Sequence, residues 1–82
     1  MKQEDTMPKA FIMIDVEPGS EKKVQEKLKT EVQGIQFVYQ ITGEHDMIAF
    51  LDVEPYDNFA YCISVVRGVE GVKDTDTELV IG

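Results

Sequence analysis

The chain has 82 residues and a mass of 9.3 kDa, which is enough for one small domain and excludes a large multi-part enzyme. Apolar residues make up 43% and charged residues 29%, a balance typical of globular proteins. Sixteen acidic against eight basic residues give a net charge of −8, which disfavours direct binding to nucleic acid and to anionic membranes.

The distribution of apolar residues predicts a cytoplasmic protein. No apolar run approaches the roughly 20 residues that cross a bilayer, and residues 1–7 lack the apolar stretch of a secretory signal. We interpret residues 1–8 as a polar, flexible leader and residues 9–82 as one domain. The single cysteine, Cys62, has no partner for an internal disulfide and is expected to be a buried thiol.

A short repeat organises the chain. The four residues Asp-Val-Glu-Pro occur at 15–18 and again at 52–55, an offset of 37, and Gly34 and Gly71 keep the same offset. Two copies are too few for a solenoid, whose repeats must cover each other's open faces. The repeat therefore predicts a pseudo-symmetric domain.

Each repeat predicts a strand, a helix and a second strand. Apolar, β-branched stretches at 10–16 and 47–53 are typical of strands, and each is followed by a proline that suits the first turn of a helix. The helices are predicted over 20–32, with Ser20 as N-cap, and over 55–68 or 56–68. One second strand is predicted over 35–42, where the apolar residues Ile35, Phe37, Tyr39 and Ile41 alternate with Gln36, Val38, Gln40 and Thr42. The other is predicted over 73–81.

The order βαββαβ predicts a ferredoxin-like α+β fold, with a four-stranded antiparallel sheet and both helices on one face. The first and third strands are apolar on both faces, as central strands should be. Two helices cover only one face of such a sheet, so either the apolar set that contains Phe11 or the set that contains Ile12 would be exposed on the other face. Large exposed apolar patches mark interfaces, and we expect a second copy of the chain to bury this face.

The segment 42–46, Thr-Gly-Glu-His-Asp, combines two carboxylates with the only imidazole of the chain. Gly43 suits the positive φ of a tight hairpin, so a plain turn with a solvated His45 is one interpretation. Neighbouring residues of an extended chain point to opposite sides, so Asp46 is poorly placed to orient His45 as a general base. A metal site there lacks ligands from a second element. No catalytic residue, metal or cofactor is predicted.

In the run 74–78, Thr75 and Thr77 alternate with three acidic residues. This alternation is typical of a solvated edge strand, where charges discourage pairing with other chains. The alternative is that the threonine hydroxyls, which both donate and accept hydrogen bonds, help to hold a small zwitterion.

The segment 41–46, followed by an apolar strand, and the segment 69–77 together resemble the C-terminal ligand-binding domain of the Lrp/AsnC family, also called the RAM domain, over about residues 9–81. The resemblance implies the ferredoxin-like fold, dimerisation through the sheets as a dimeric α+β barrel, and a ring of dimers such as an octamer. It also implies an amino-acid effector bound between dimers, with Asp46 accepting the ligand's ammonium. The implied binding residues are Thr42, Gly43, Glu44, His45, Asp46, Thr75, Thr77 and Leu79.

The sequence departs from the family in two respects. Full-length members carry an N-terminal helix-turn-helix, and here only about nine residues precede the first predicted strand. We therefore expect a stand-alone effector-binding module without enzymatic activity or DNA binding of its own, able to assemble with helix-turn-helix relatives; a truncated longer protein is the alternative. His45 also replaces the aromatic residue common in that turn, so the ligand preference of better-known members is not transferred.

Two other functions remain as alternatives. The first is an ACT-like sensor, whose ligand would lie near the loop 17–20. The second is a small dimeric α+β-barrel enzyme with His45 as base. For the effector itself, the acidic surroundings of Asp46 favour neutral or basic amino acids over aspartate and glutamate.

Overall fold

The computed structural model describes residues 9–53 and 56–82, and of residues 56 and 57 the backbone only. The predicted leader 1–8 and the end of the second Asp-Val-Glu-Pro copy, 54–55, lie outside the described residues. The elements in chain order are β1 (Lys9–Val16), α1 (Glu21–Glu31), β2 (Ile35–Gln40), β3 (Met47–Asp52), α2 (Tyr56–Gly68) and β4 (Val72–Leu79).

The four strands form one antiparallel sheet in the order β2-β3-β1-β4, which confirms the predicted ferredoxin-like fold. The strands that are apolar on both faces, β1 and β3, are the central ones. Their register runs from Lys9 opposite Asp52 to Ile14 opposite Met47. The described part of the chain contains no helix that is long and apolar enough to cross a membrane.

The core lies between one face of the sheet and the two helices. Alternate residues of β1 and β3 face the helices and are buried, as the period of two in a strand requires. On α1, Val24 and Leu28 lie one turn apart on the buried face, as predicted. On α2, Phe59, Cys62 and Val66 are buried, so the expectation of a buried thiol is confirmed.

Neither α1 nor α2 packs on the other face of the sheet, which presents a row of aromatic rings. Phe11 and Phe50 have ring centroids 4.9 Å apart, Phe50 and Phe37 5.6 Å, and Phe37 and Tyr39 4.8 Å. Phe11 is 36% and Tyr39 58% exposed. We call this row the open face. It confirms that apolar side chains remain on the side away from the helices.

The edge strand β4 sorts its side chains between the two faces. Asp76 lies opposite Met13 and Glu78 opposite Phe11, so these acids flank the open face. The threonines lie on the helix side, Thr75 opposite Ile14 and Thr77 opposite Ile12.

Three sequence predictions need correction. A register shift in β2 makes Gln36 an extra residue, so Ile35 lies opposite Leu51 on the helix side, and the predicted single face of alternating apolar residues is wrong there. The second strands end at Gln40 and Leu79, two residues earlier than predicted. Ser20 does occupy the N-cap position, but its hydroxyl makes no capping hydrogen bond.

Candidate functional site

Backbone hydrogen bonds close the loop between β2 and β3 and join it to β1. The backbone N–H of Ile41 donates to the carbonyl of Asp46 at 3.0 Å, and the N–H of Asp46 donates to the carbonyl of Ile14 at 3.0 Å. Gly43 has φ +116°, and a Cβ at this position would meet nothing within 4 Å. The backbone conformation, and not lack of space, therefore calls for glycine.

Asp46 extends the hydrogen-bonding pattern of the sheet with its side chain. The β1–β3 register ends at Ile14 opposite Met47, where the chain before β3 turns away. The N–H of Val16 points toward the same side as the carbonyl of Ile14, and it donates to Asp46 Oδ2 at 2.8 Å. Asp46 is half-buried, and its Oδ1 has no partner among the described residues. One carboxylate oxygen thus supports the fold and the other is available.

His45 contacts a residue that the sequence interpretation did not include. Its Nδ1 lies 3.2 Å from Asp15 Oδ1, and the two side chains are 30% and 31% exposed. Asp46, as expected, does not orient the imidazole, because its carboxylate is directed to Val16. A signal for Asp15 was present, since it begins the repeated motif at the end of β1, and antiparallel pairing of β1 with β3 brings that end beside the residues preceding Met47.

The structure brings together only part of the predicted site within one copy of the chain. Thr42, Gly43 and Glu44 are exposed, and they adjoin the half-buried His45 and Asp46. Among the predicted residues of β4, Thr75 lies at the same end of the sheet as this loop, because it is opposite Ile14, which also pairs with Met47. β1 lies between them, so Thr75 is two strand spacings, about 10 Å, from Met47.

The other two predicted residues of β4 lie farther along the sheet. Thr77 is opposite Ile12 and Leu79 opposite Ala10. At about 3.3 Å per residue, these positions are about 7 and 13 Å beyond Thr75. One copy of the chain therefore does not bring Leu79 to the loop.

The loop lies in a strongly acidic environment. Asp15 is directly opposite Asp74 across β1 and β4, an arrangement of like charges that is unfavourable unless it is compensated. Asp74 Oδ1 accepts a hydrogen bond from the N–H of Thr75 at 3.0 Å. In the described ranges, no group of three or more His, Cys, Asp or Glu side chains is placed to hold a metal ion. The arrangement attracts cationic and hydrogen-bond-donating groups.

The loop of the ACT-like alternative lies at the same end of the sheet, because it follows β1. It is a tight turn, in which the N–H of Glu17 donates to the carbonyl of Gly71 at 2.8 Å and the N–H of Ser20 to the carbonyl of Glu17 at 2.9 Å. Its backbone groups are thus partly engaged in the fold.

A groove of about 640 Å³ lies near the ends of α1 and β3, and residues including Gly34, Asp52, Tyr61 and Cys62 line it. Cys62 Sγ donates to the carbonyl of Gln33 at 3.2 Å, and burial raises the pKa of the thiol. None of the predicted binding residues lines this groove.

Comparison with known proteins agrees with the geometry. The family model described as the Lrp/AsnC ligand binding domain matches residues 9–82. The HTH-type transcriptional regulator FL11 of Pyrococcus furiosus is 31% identical over 72 residues, covering 88% of this chain and 47% of FL11. The chain spans about half the length of the curated relatives it matches.

Two solved structures share the fold. The hypothetical protein PHS023 of Pyrococcus horikoshii has a TM-score of 0.84 at 26% identity, covering 93% of this chain and 92% of that chain. The transcriptional regulator NMB0573 of Neisseria meningitidis, in complex with L-Met, has a TM-score of 0.78 at 16% identity, covering 92% of this chain and 50% of that chain. A domain that matches the family model over its entire described length, with this topology and this loop, belongs to the Lrp/AsnC ligand-binding domain family.

Proposed function

We propose that the chain is a regulatory module that binds a small amino acid at the loop 41–46 and has neither enzymatic activity nor direct contact with DNA. The observation that carries the proposal is the state of Asp46: half-buried, held in place through Oδ2 by the N–H of Val16, with Oδ1 lacking a partner in the described part of the chain. An oriented carboxylate of this kind suits the α-ammonium of an amino acid.

The surroundings of Asp46 support a zwitterionic ligand. Residues 42–44 are exposed and Gly43 has no side chain, which leaves room for the ligand's carboxylate to approach the backbone of the loop. The acidic groups nearby, Asp15 and Asp74, disfavour an additional negative charge, so neutral and basic amino acids are preferred to aspartate and glutamate. The regulator NMB0573, which has the same fold, has been solved in complex with L-Met, and this supports an amino acid as the class of ligand.

The open face supports a homodimer as the basic unit. Its aromatic row runs across three strands and is covered by no element of the described chain. Packing of two such faces yields a dimeric α+β barrel. A ring of dimers, such as an octamer, would then bring Thr77 and Leu79 of one copy toward the loop of another and complete the predicted site.

The named relatives support a role in transcriptional regulation. FL11 is an HTH-type transcriptional regulator, and the region that resembles this chain covers 47% of its length. The chain would assemble with such a protein through the same surfaces that join two copies of the chain. The net charge of −8 is unfavourable for binding DNA directly, so the module would act through its partner in the cytoplasm.

A second candidate function rests on the contact between His45 and Asp15. An imidazole oriented by a carboxylate is the arrangement of a general base, as in the small α+β-barrel enzyme considered above. The named relatives are transcriptional regulators, and the amino-acid-binding role is therefore placed first.

The test is a thermal-shift screen of the standard amino acids, combined with light scattering for each compound that stabilises the protein. A ligand that binds only the folded state raises the melting temperature by mass action. We expect stabilisation by at least one neutral or basic amino acid, with a change in particle mass.

Two substitutions of Asp46 separate binding from folding. Asp46→Asn keeps an acceptor for the N–H of Val16 but removes the charge, so the ligand response should be lost with little loss of stability. Asp46→Ala leaves that N–H unpaired and should lower the free energy of unfolding by about 1–3 kcal/mol. Ligand stabilisation that is unchanged in Asp46→Asn would contradict the proposed site.

A further inference from the structure

The contact between His45 and Asp15 determines which nitrogen of the imidazole carries the proton. An ionised carboxylate can only accept hydrogen bonds. The 3.2 Å contact therefore places the hydrogen of a neutral His45 on Nδ1, which donates to Asp15 Oδ1. The lone pair of Nε2 is then left as a hydrogen-bond acceptor. This is the less common form of a free histidine in water, so Asp15 changes which nitrogen of His45 accepts a hydrogen bond.

The neighbouring acids do not compete for this role. Asp74, directly opposite Asp15, turns back to the N–H of Thr75, and Asp46 is directed to the N–H of Val16. Among the described residues, no lysine or arginine forms an ion pair with Asp15. The side chains of Asp15 and His45 are both about two-thirds shielded from solvent, which favours a defined geometry over a loose surface contact.

We propose that Asp15 is a positioning residue of the effector site: by holding the proton of His45 on Nδ1, it presents Nε2 as an acceptor and selects amino acids whose side chains end in a hydrogen-bond donor. This inference rests on the proposed function, because it assigns the ligand class of the same site. Amide, hydroxyl and basic side chains are favoured. Apolar side chains of equal length leave Nε2 without a partner, and carboxylate side chains supply a second acceptor and a repelled charge.

The repeat provides a matched control. Asp52 is the counterpart of Asp15 in the second Asp-Val-Glu-Pro copy and is also half-buried, but it lies opposite Lys9, at the other end of the register from the loop. Replacing either aspartate by alanine removes one negative charge. Only Asp15→Ala removes the partner of His45.

The first arm of the test observes the imidazole directly and needs no ligand. The chain has one histidine, so nitrogen-15 NMR of the side chain at pH 8, where histidine is ordinarily neutral, reports His45 alone. We expect the Nδ1–H form in the wild type and in Asp52→Ala, and a shift to the Nε2–H form in Asp15→Ala. The Nε2–H form in the wild type, or no change in Asp15→Ala, would overturn the inference.

The second arm measures selectivity with two probes of similar length, L-glutamine, which carries a terminal donor, and L-methionine, which does not. Loss of one hydrogen bond corresponds to about a tenfold change in affinity. We expect the wild type and Asp52→Ala to prefer glutamine by about tenfold and Asp15→Ala to bind both within about twofold. Equal affinities in the wild type, or a preference that survives in Asp15→Ala, overturns the inference.

The two arms also distinguish this inference from the proposed function. If the wild type binds methionine as well as it binds glutamine, and Asp46→Asn abolishes both, the effector site stands and the role of Asp15 in selection is refuted. If no amino acid stabilises the wild type, the proposed function fails, and with it the assignment of a ligand class to His45.

Discussion

At the scale of single residues, two neighbouring residues of the loop 41–46 have different structural roles. Asp46 and His45 adjoin in sequence, yet they reach consecutive residues of β1, the N–H of Val16 and the carboxylate of Asp15. Both contacts span 30 positions of the chain. The contact between Asp46 and Val16 replaces a backbone hydrogen bond that is missing between β1 and β3. The contact between His45 and Asp15 orients the imidazole ring. The sequence of the loop identifies its polar groups but not the residues that they contact.

Cys62 provides a prediction at the same scale. Burial raises the pKa of its thiol, so the reactive thiolate is scarce near neutral pH, and the sulfur is also shielded. We expect alkylation by iodoacetamide at pH 7.5 to be at least about tenfold slower in the native protein than in urea. Mass spectrometry over time measures both rates, with Cys62→Ala as the background. Equal rates would show that the thiol is accessible in the native state.

The direction of the pH effect on Cys62 follows from the same shift. A thiol whose pKa is raised on folding contributes stability that is present below the pKa of the unfolded thiol and lost as pH rises through the folded value. Labelling of the native protein should therefore accelerate at alkaline pH, where unfolding and thiolate formation both increase.

At the scale of elements, the alternation of side chains predicts strands well and their faces less well. In β2 the extra residue Gln36 moves Ile35 to the helix side, while Phe37 joins the aromatic row on the open face. A bulge depends on how the strand pairs with β3, and the local pattern of apolar residues does not specify it.

Two glycines with positive φ allow the cost of backbone strain to be separated from the cost of a steric clash of the side chain. Gly34 (φ +94°) precedes β2, and a Cβ there would collide with Val53 and approach Leu51, whereas a Cβ on Gly43 meets nothing within 4 Å. Alanine at either position costs about 1–3 kcal/mol for the backbone conformation. We expect Gly34→Ala to lose clearly more stability than Gly43→Ala in urea unfolding. Equal losses would mean that Val53 moves aside without cost.

At the scale of the whole molecule, α1 and α2 both pack on one face of the sheet and leave the other face uncovered by the described elements. One face is buried beneath the helices, and the other presents Phe11, Phe50, Phe37 and Tyr39. Acidic residues of β4 flank this apolar row. The distribution is that of an interface core with a polar rim, in agreement with the proposed dimer.

Phe11→Lys tests the dimer. Phe11 is 36% exposed and lies opposite Glu78, so a lysine is tolerated by the fold and placed near a negative charge. The same charge in the proposed interface would disfavour association. We expect a dimer or larger assembly for the wild type and a monomer for Phe11→Lys in analytical ultracentrifugation at micromolar concentration.

The matched control for this prediction is Tyr61→Lys. Tyr61 is a 71% exposed aromatic residue on α2, in the helix layer, so its replacement should leave the mass of the assembly unchanged. A wild-type monomer, or dissociation of the control but not of Phe11→Lys, would contradict dimerisation through the open face.

Local sequence patterns predict the elements, their order, the central strands and the buried faces of the helices, because periodicity, glycines and prolines act over a few residues. They also locate the loop of the candidate site. The contacts of that loop depend on the fold: Asp15 contacts His45, and Val16 holds Asp46. Thr75 lies two strands away at the same end of the sheet, and Leu79 lies farther along β4. These relations follow from the register between strands distant in the chain, where a shift of one residue would reassign every partner, and a local pattern does not contain that register.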